Sequence, residues 1–464
     1  MSGIVGVVSN SDCKETLFYA TDYHSHLGTQ FAGLAVWGSA LVKRIHDIQW
    51  AQFKSKFYNE MLLLSGDKGI GVISAKDPQP IVINSRHGHF AICTNGFIEN
   101  AQSLAKELLD EGESFSDSYD SQINTAELVA KLINKKESIP DGIGYMFSRI
   151  SGSCSLLILT KDGIWAARDR FGYTPLVLGS RNGELAIVSE SSAFLNLGFN
   201  VQKVLAPGEI VFVSNSGVKE VRAPGGSNQI CAFLWIYTGF PASSYEGINV
   251  EVVRERCGRF LARNDDVRAD LAAGIPDSGT THAIGYAMES GIPFRRPLVK
   301  YTPGFDRSYT PPVQQTRDLI AKMKLLAIRE IIDGKRIVLC DDSIVRGTQL
   351  KNFTIQKVWK CGAKEVHLRI ACPPLMFPCR FNFSTRAASE LATRRAIRAL
   401  EGLELEDVSA YLDEGNQKYA KMVNWIAREL GVTSLKYQKL EDMIAAIGLP
   451  TESICLYCWT GKCP

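Results

Sequence analysis

A mixed α/β chain of two domains is the fold this sequence predicts: a first half of two packed sheets with helices outside, then a second half built on a parallel sheet. Three observations lead there. The chain is 464 residues long, the length of two ordinary domains. Up to Val221 it is punctuated by short apolar runs that suit buried strands. In the second half, the apolar run 337–340 is followed by two acids, a small polar turn and a helical pattern opening near Leu350. That is the strand–turn–helix order of a parallel sheet.

In chain order, 4–8 is apolar enough for a buried strand, and 156–159, 185–188 and 210–213 read likewise. Residues 125–133 read as a helix, with Leu128, Val129 and Leu132 on one face. The turn-rich stretch 223–228 (A-P-G-G-S-N) marks the boundary between domains 1–228 and 229–464. A helix with Val253, Cys257, Phe260 and Leu261 on one side follows. Residues 274–281 form a turn between a short strand and a helix holding Ala283, Ile284 and Ala287. The Pro and Gly content of 300–312 marks a mobile loop. Residues 365–370 form the next strand. The stretch 387–430 is helical, charged outside and apolar at helix spacing, and is read as added surface helices without chemistry.

Composition narrows the class. The chain is 45% hydrophobic and 22% charged, as in soluble globular proteins. No run reaches the roughly 18 apolar residues of a membrane span. The start, Met1 to Val5, lacks the basic opening and long apolar core of a signal peptide. The expectation is a cytoplasmic protein with no membrane partner. A formal net charge of +3 without a long basic run gives no support for nucleic-acid binding. The twelve cysteines of a cytoplasmic chain are not expected to form a disulfide framework. Several suit buried packing, but Cys455 and Cys458, spaced C-x-x-C, stand apart.

The chemistry centres on 336–349, R-I-V-L-C-D-D-S-I-V-R-G-T-Q. Asp341 and Asp342 end the apolar run, and Ser343, Ile344, Val345, Arg346, Gly347 and Thr348 follow. Such a turn at a helix start points backbone amides at an anion. Two carboxylates would repel a phosphate alone. They are accounted for if they accept bonds from sugar hydroxyls or hold a divalent cation such as Mg²⁺. Phosphate, ribose and cation together spell a phosphoribosyl group. The Walker pattern G-x-x-x-x-G-K-[ST] is absent. The turn at Asp277, Ser278 and Gly279 has small residues that admit a second anion.

The string 336–349 resembles the phosphoribosylpyrophosphate (PRPP) loop of type I phosphoribosyltransferases over its whole length. In the first half, Ser2-Gly3-Ile4-Val5-Gly6, Gly69-Ile70-Gly71, Thr94-Asn95-Gly96 with Asn100, Arg168-Asp169-Arg170-Phe171-Gly172 with Pro175, Ser189-Glu190-Ser191 and Pro207-Gly208-Glu209 resemble the glutaminase domain of glutamine PRPP amidotransferases. The resemblance covers nearly the whole chain. It implies a four-layer αββα domain of the N-terminal-nucleophile hydrolase type over 1–228, similar to class II glutamine amidotransferases. It implies a type I phosphoribosyltransferase domain over 229–464. The implied activity is that of an amidophosphoribosyltransferase of purine biosynthesis, forming 5-phosphoribosylamine and pyrophosphate from PRPP.

By the same resemblance, Asp277, Ser278 and Gly279 meet the pyrophosphate, and Ser278, Asp341 and Asp342 lie at Mg²⁺. Asp341 and Asp342 fix the ribose, and Ser343 to Thr348 hold the 5′-phosphate. Lys324 reaches phosphate. Lys300 and Arg307 are the catalytic residues of a loop that closes over PRPP. Cys231, Cys379, Cys455 and Cys458 stand where one branch of the family ligates a [4Fe–4S] cluster; four thiolates suit tetrahedral zinc equally. Regulatory purine nucleotides and a homo-oligomer, by resemblance a tetramer, are implied.

The departures bear on the nitrogen source. Ser2 replaces the family's nucleophilic cysteine, and a hydroxyl needs a strong general base where a thiol does not. Ser74 stands where an arginine would hold the glutamine carboxylate, and Thr125 where an aspartate would hold its amine. Leu27 and Thr29 alter H-R-G-Q-E, and Phe97 replaces a second Asn. A bidentate Arg–carboxylate contact has no equivalent in Ser. The expectation is a retired glutaminase, with ammonia or another amine meeting PRPP. The rival readings are a regulatory paralogue that binds PRPP or nucleotides without catalysis, and a phosphoribosyltransferase with another acceptor.

Overall fold

This computed structural model describes residues 1–464 except 117, 120, 121, 224, 227, 302–324, 349, 383–386 and 464, and it divides into two compact units. The first comprises Met1–Cys231, Ala242–Gly247 and Arg380–Phe383. Its seven-stranded sheet runs in the order Asn200–Val204, Val177–Arg181, Glu184–Val188, Gly3–Val8, Lys68–Ser74, Phe31–Trp37, Leu41–Asp47. Its six-stranded sheet runs Gly217–Arg222, Ile210–Ser214, Ile164–Ala167, Gly152–Leu159, Gly88–Ile98, Ile81–Ser85.

The central strands of both sheets are covered on both faces, which is why they read as apolar runs rather than alternating ones. Ile4, Ile70 and Val72 of one sheet meet Cys93, Leu157 and Val211 of the other. Outside the first sheet, Leu17, Phe18, Phe53 and Phe57 of helices Lys14–Asp22 and Phe53–Leu63 pack on Val5, Val7 and Leu34. Outside the second, Leu104, Leu128, Ile143 and Met146 pack on Ile92 and Ile158. The layers are therefore αββα, as expected. Each such fully buried side chain contributes about 1.5–3 kcal/mol. The helix Thr125–Ile133 forms over the expected residues, its N-terminus capped by Asn124, whose Oδ1 accepts the Ala126 amide at 2.9 Å.

Two later segments complete this unit. Tyr245 donates its hydroxyl to buried Glu190 at 2.6 Å, and Ser243 donates at 3.1 Å. The ring of Phe381 stacks on Tyr173 with centroids 4.0 Å apart.

The second unit comprises Ala232–Pro241, Ile248–Cys379 and Ser384–Pro464. Its four-stranded sheet is parallel throughout, in the order Leu271–Gly274, Arg336–Asp341, Glu365–Ile370, Ser434–Tyr437. Helices Val250–Arg263 and Gly279–Ser290 cross closely: a Cβ on Gly258 would lie 1.9 Å from the His282 carbonyl oxygen, and one on Gly285 2.0 Å from that of Glu255. The turn expected over 274–281 is shorter than expected. Gly279 already opens the helix, its N–H donating to Ile275 O at 2.9 Å.

The stretch 387–430 holds two helices, Ala392–Glu401 and Gln417–Leu430, exposed on their charged faces as expected, and the second buries Met422, Val423, Ile426 and Leu430. Apolar residues at helix spacing mark a packed face as readily as a coating.

A buried ion network ties the sheet to the helix layer. Arg369 binds Asp265 through two nitrogens, and Tyr286 and Lys436 add bonds of 2.7 and 3.1 Å. Burial opposes the charge of Asp265, but Arg369 above all holds its carboxyl well below the usual range. Arg369→Ala leaves that carboxylate without its main partner and is expected to lower the unfolding free energy by about 3–5 kcal/mol. The double variant Asp265→Leu/Arg369→Met is expected to recover most of the loss, as read by equilibrium urea unfolding.

Candidate functional site

The parallel strand Arg336–Asp341 ends in the paired acids, and the neighbouring strand Leu271–Gly274 ends in the turn through Asp277 and Ser278. Backbone packing holds the two ends together. Ile275 N–H donates to Cys340 O at 2.9 Å, and a Cβ on Gly279 would lie 2.2 Å from that same oxygen. Only glycine allows this approach. Asp342, buried, accepts from Ser343 Oγ at 2.6 Å and from the Ser278 hydroxyl, and its own N–H donates to Asp341 Oδ1 at 3.0 Å. Burial raises the Asp341 carboxyl well above the usual range, and Asp342 adds to it. Asp342 is raised too, by burial, against the pull of Ser278 and Ser343. Paired acids raised in this way suit a cation or a set of hydroxyl donors between them.

Lys300, ending the strand Leu298–Lys300, reaches Asp277 Oδ2 at 2.9 Å. Beside this turn lies a cavity of about 250 Å³ lined by Asp277, Thr280, Thr281, Arg295 and Arg296, among others. Arg307 and Lys324 lie outside the described residues.

The Ser343–Thr348 turn is held from a direction the sequence reading missed. Ala392 N–H donates to Val345 O at 2.8 Å, Arg395 donates to Arg346 O, and Arg346 pairs with Glu390 at 2.7 Å. Gly347 has φ +73°, and a Cβ there would lie 3.3 Å from Leu430. Residues 387–430, expected to carry no chemistry, thus buttress the loop. Their spacing from it in the chain left no signal. Ile344 is buried, whereas Arg346 and Thr348 are exposed.

In the first unit, Ser2 is 8% exposed. Its Oγ accepts the Ala75 amide at 3.1 Å, and its N–H donates to Asn95 Oδ1 at 3.0 Å. Among the described residues no imidazole or carboxylate bonds the hydroxyl. His24 packs against Gly3, but its Nδ1 meets Ala20 O at 2.8 Å and its Nε2 accepts the Glu190 amide at 3.1 Å. Burial pushes its pKa down to about 4, so it is neutral and fully engaged. His26 pairs with Glu190 at 2.9 Å. Ser74 is fully buried, and the Thr125 amide donates to Asp77 Oδ2 at 3.1 Å.

Among the described residues no three His, Cys, Asp or Glu side chains form a group suited to a metal ion. In the second unit, the Cys458 carbonyl accepts from Met376 and Phe377 at 2.9 and 3.1 Å, and Phe377 packs on Gly461. The turn before Cys379 is thereby joined to the C-x-x-C end. Cys455 is buried, and Cys379 and Cys458 are partly so; Cys231 belongs to the first unit.

A profile described as a glutamine amidotransferase domain matches residues 68–196. Along its whole length the chain is 32% identical to the amidophosphoribosyltransferase of Methanocaldococcus jannaschii, covering 98% of it. It is 30% identical to that of Archaeoglobus fulgidus, again covering 98%. The chain belongs to the amidophosphoribosyltransferase family. The crystallised glutamine PRPP amidotransferase of B. subtilis, complexed with ADP and GMP, matches with a TM-score of 0.84 and 29% identity, over 100% of this chain and 97% of that one. A second structure, described as the allosteric regulatory enzyme of purine biosynthesis, matches with a TM-score of 0.85 and 29% identity, over 100% and 96%.

Amidophosphoribosyltransferases are phosphoribosyl-transferring enzymes of purine biosynthesis, and the fold expected from the sequence is theirs. No helix among the described residues is long and apolar enough to cross a membrane. Gly279→Ala pushes a methyl group into the Cys340 carbonyl and displaces the turn by a few tenths of an ångström or more. It is expected to lower kcat/KM for PRPP by about 10²-fold, measured by pyrophosphate release, and to lower the urea midpoint as well.

Proposed function

We propose that this enzyme makes 5-phosphoribosylamine and pyrophosphate from PRPP with free ammonia, or ammonia from a partner, as the nitrogen source. The observation that carries this reading is the contrast between the two units. In the second, paired acids, two small-residue turns and a lysine converge. In the first, the Ser2 hydroxyl accepts the Ala75 amide, no imidazole or carboxylate side chain among the described residues bonds it, and Ser74 and Thr125 stand where the family's glutamine-binding charges would be. In the proposed roles, the backbone of the Ser343–Thr348 turn binds the 5′-phosphate. Asp341 and Asp342 accept bonds from the ribose hydroxyls. The turn Asp277, Ser278, Gly279 orients the pyrophosphate, with Lys300 beside it.

The C1–O bond to pyrophosphate breaks, the ammonia lone pair forms the C1–N bond, and a proton leaves the new amine. Positive charge that develops at the ribose C1 faces the carboxylates. Ser278, Asp341 and Asp342 would hold Mg²⁺, which when bound neutralises the leaving pyrophosphate; the raised carboxyl pair is the feature that fits it. Arg307 and Lys324 are assigned to the loop and phosphate contacts by resemblance alone. The B. subtilis relative was crystallised with ADP and GMP, and purine nucleotides are proposed as regulators here too. A homotetramer in the cytoplasm is the proposed state.

The deciding assay supplies PRPP and Mg²⁺ with either ammonium chloride or glutamine and follows pyrophosphate. Release with ammonia and none above background with glutamine is the expected result. Release with glutamine would overturn the reading of Ser2, Ser74 and Thr125. Tight PRPP binding with neither nitrogen source used would instead favour a sensor or another acceptor.

Cys231, Cys379, Cys455 and Cys458 are proposed to hold a structural [4Fe–4S] cluster, with zinc as the alternative. The donor set and the backbone bonds that join the Cys379 turn to Cys458 support this. Protein purified without oxygen is expected to contain iron and acid-labile sulfide in equal amounts and to show a broad visible charge-transfer band. Zinc without sulfide would assign the site to zinc.

A further inference from the structure

We propose that Arg395 is a positioning residue for the Ser343–Thr348 turn: by binding the Arg346 carbonyl it aims the turn's amides at the substrate's 5′-phosphate. This role rests on the reading of the turn as the 5′-phosphate site.

A trans peptide is planar, with its carbonyl and its N–H pointing in opposite directions. Whatever holds the carbonyls of the turn therefore decides where its amides point. Val345 O accepts the Ala392 amide at 2.8 Å, and Arg346 O accepts from Arg395 Nη2. Both donors lie at the start of the helix Ala392–Glu401. The N–H groups of Arg346 and Gly347 consequently point away from that helix, on one side of the turn. Neither has a hydrogen-bond partner among the described residues. Gly347 has φ +73°, and its own carbonyl accepts the Lys351 amide at 2.9 Å. Successive N–H groups that face one way form a concavity suited to an anion.

The Arg346 side chain is held elsewhere. It pairs with Glu390 at 2.7 Å, just ahead of the same helix. The turn thus offers backbone donors rather than its own guanidinium. The Ala392 bond is main chain and would form with almost any residue at that position, whereas the Arg395 bond depends on a side chain. A cationic donor also polarises the peptide it binds, which strengthens the Gly347 N–H as a donor. Arg395 is exposed, so its removal leaves the apolar packing of the unit intact.

The test is calorimetric titration of the full-length protein, in the presence of Mg²⁺, with ribose 5-phosphate and with pyrophosphate. Arg395→Ala is expected to weaken ribose 5-phosphate by about fivefold, the worth of one hydrogen bond, with pyrophosphate affinity and the urea midpoint unmoved. One carbonyl needs one donor rather than a planar fork, so Arg395→Lys is expected to restore ribose 5-phosphate to within about twofold of the unaltered protein. Unchanged affinity for both ligands in Arg395→Ala would overturn the role of Arg395 and leave the 5′-phosphate assignment standing. Equal weakening of both ligands with a lowered urea midpoint would mark a merely structural residue and overturn it too. Weakening of pyrophosphate alone, or no binding of ribose 5-phosphate by the unaltered protein, would instead overturn the assignment of the turn to the 5′-phosphate.

Discussion

The second unit depends on one close approach, that of Gly279 to the carbonyl of Cys340. Adjacent parallel strands lie about 4.8 Å apart, so the turns at their C-terminal ends meet only if one carries no side chain at the point of contact. Gly279 meets that condition and also starts the helix Gly279–Ser290. Once the turn is seated, the Ser278 hydroxyl reaches Asp342, and Ile275 bonds the same carbonyl. Carboxylates, hydroxyls and turn amides are thereby assembled by backbone geometry rather than by long side chains. Less side-chain freedom is lost when a ligand binds such a site.

The first unit illustrates how a fold and its chemistry separate. Its stability comes from three apolar layers, and none of them involves Ser2, Ser74 or Thr125. Those residues can change while the αββα arrangement persists. The buried polar core is equally indifferent to them. Glu190 accepts bonds from Tyr245, Ser243 and His26, and these, with His24, hold its carboxyl below the usual range despite burial. The segment Ala242–Gly247 is fastened to this unit by the same bonds, and by Arg168 pairing with Glu246 at 2.8 Å.

Where local pattern controls the outcome, the sequence was legible. The strands at Gly3–Val8, Glu365–Ile370 and Arg336–Asp341 and the helix Thr125–Ile133 form within a residue or two of where apolar runs and periodicity put them. The acids and small residues at 341–348 could be read as an anion-binding turn because strand, turn and helix are contiguous. The role of 387–430 could not. Its helices touch the Ser343–Thr348 turn through the Ala392 amide, Arg395 and Leu430, residues that look in the sequence like any amphipathic surface.

By itself, then, the sequence determined the elements and their layering and marked 341–348 as a candidate anion-binding turn, because hydrophobic period, glycine placement and contiguous motifs act over a few residues. Tertiary structure alone decided which residues support that turn, which histidine is already engaged, and which groups pair with the buried carboxylates Glu190 and Asp265. Those properties depend on neighbours distant in the chain and on the exclusion of water. Neither exists until the layers close.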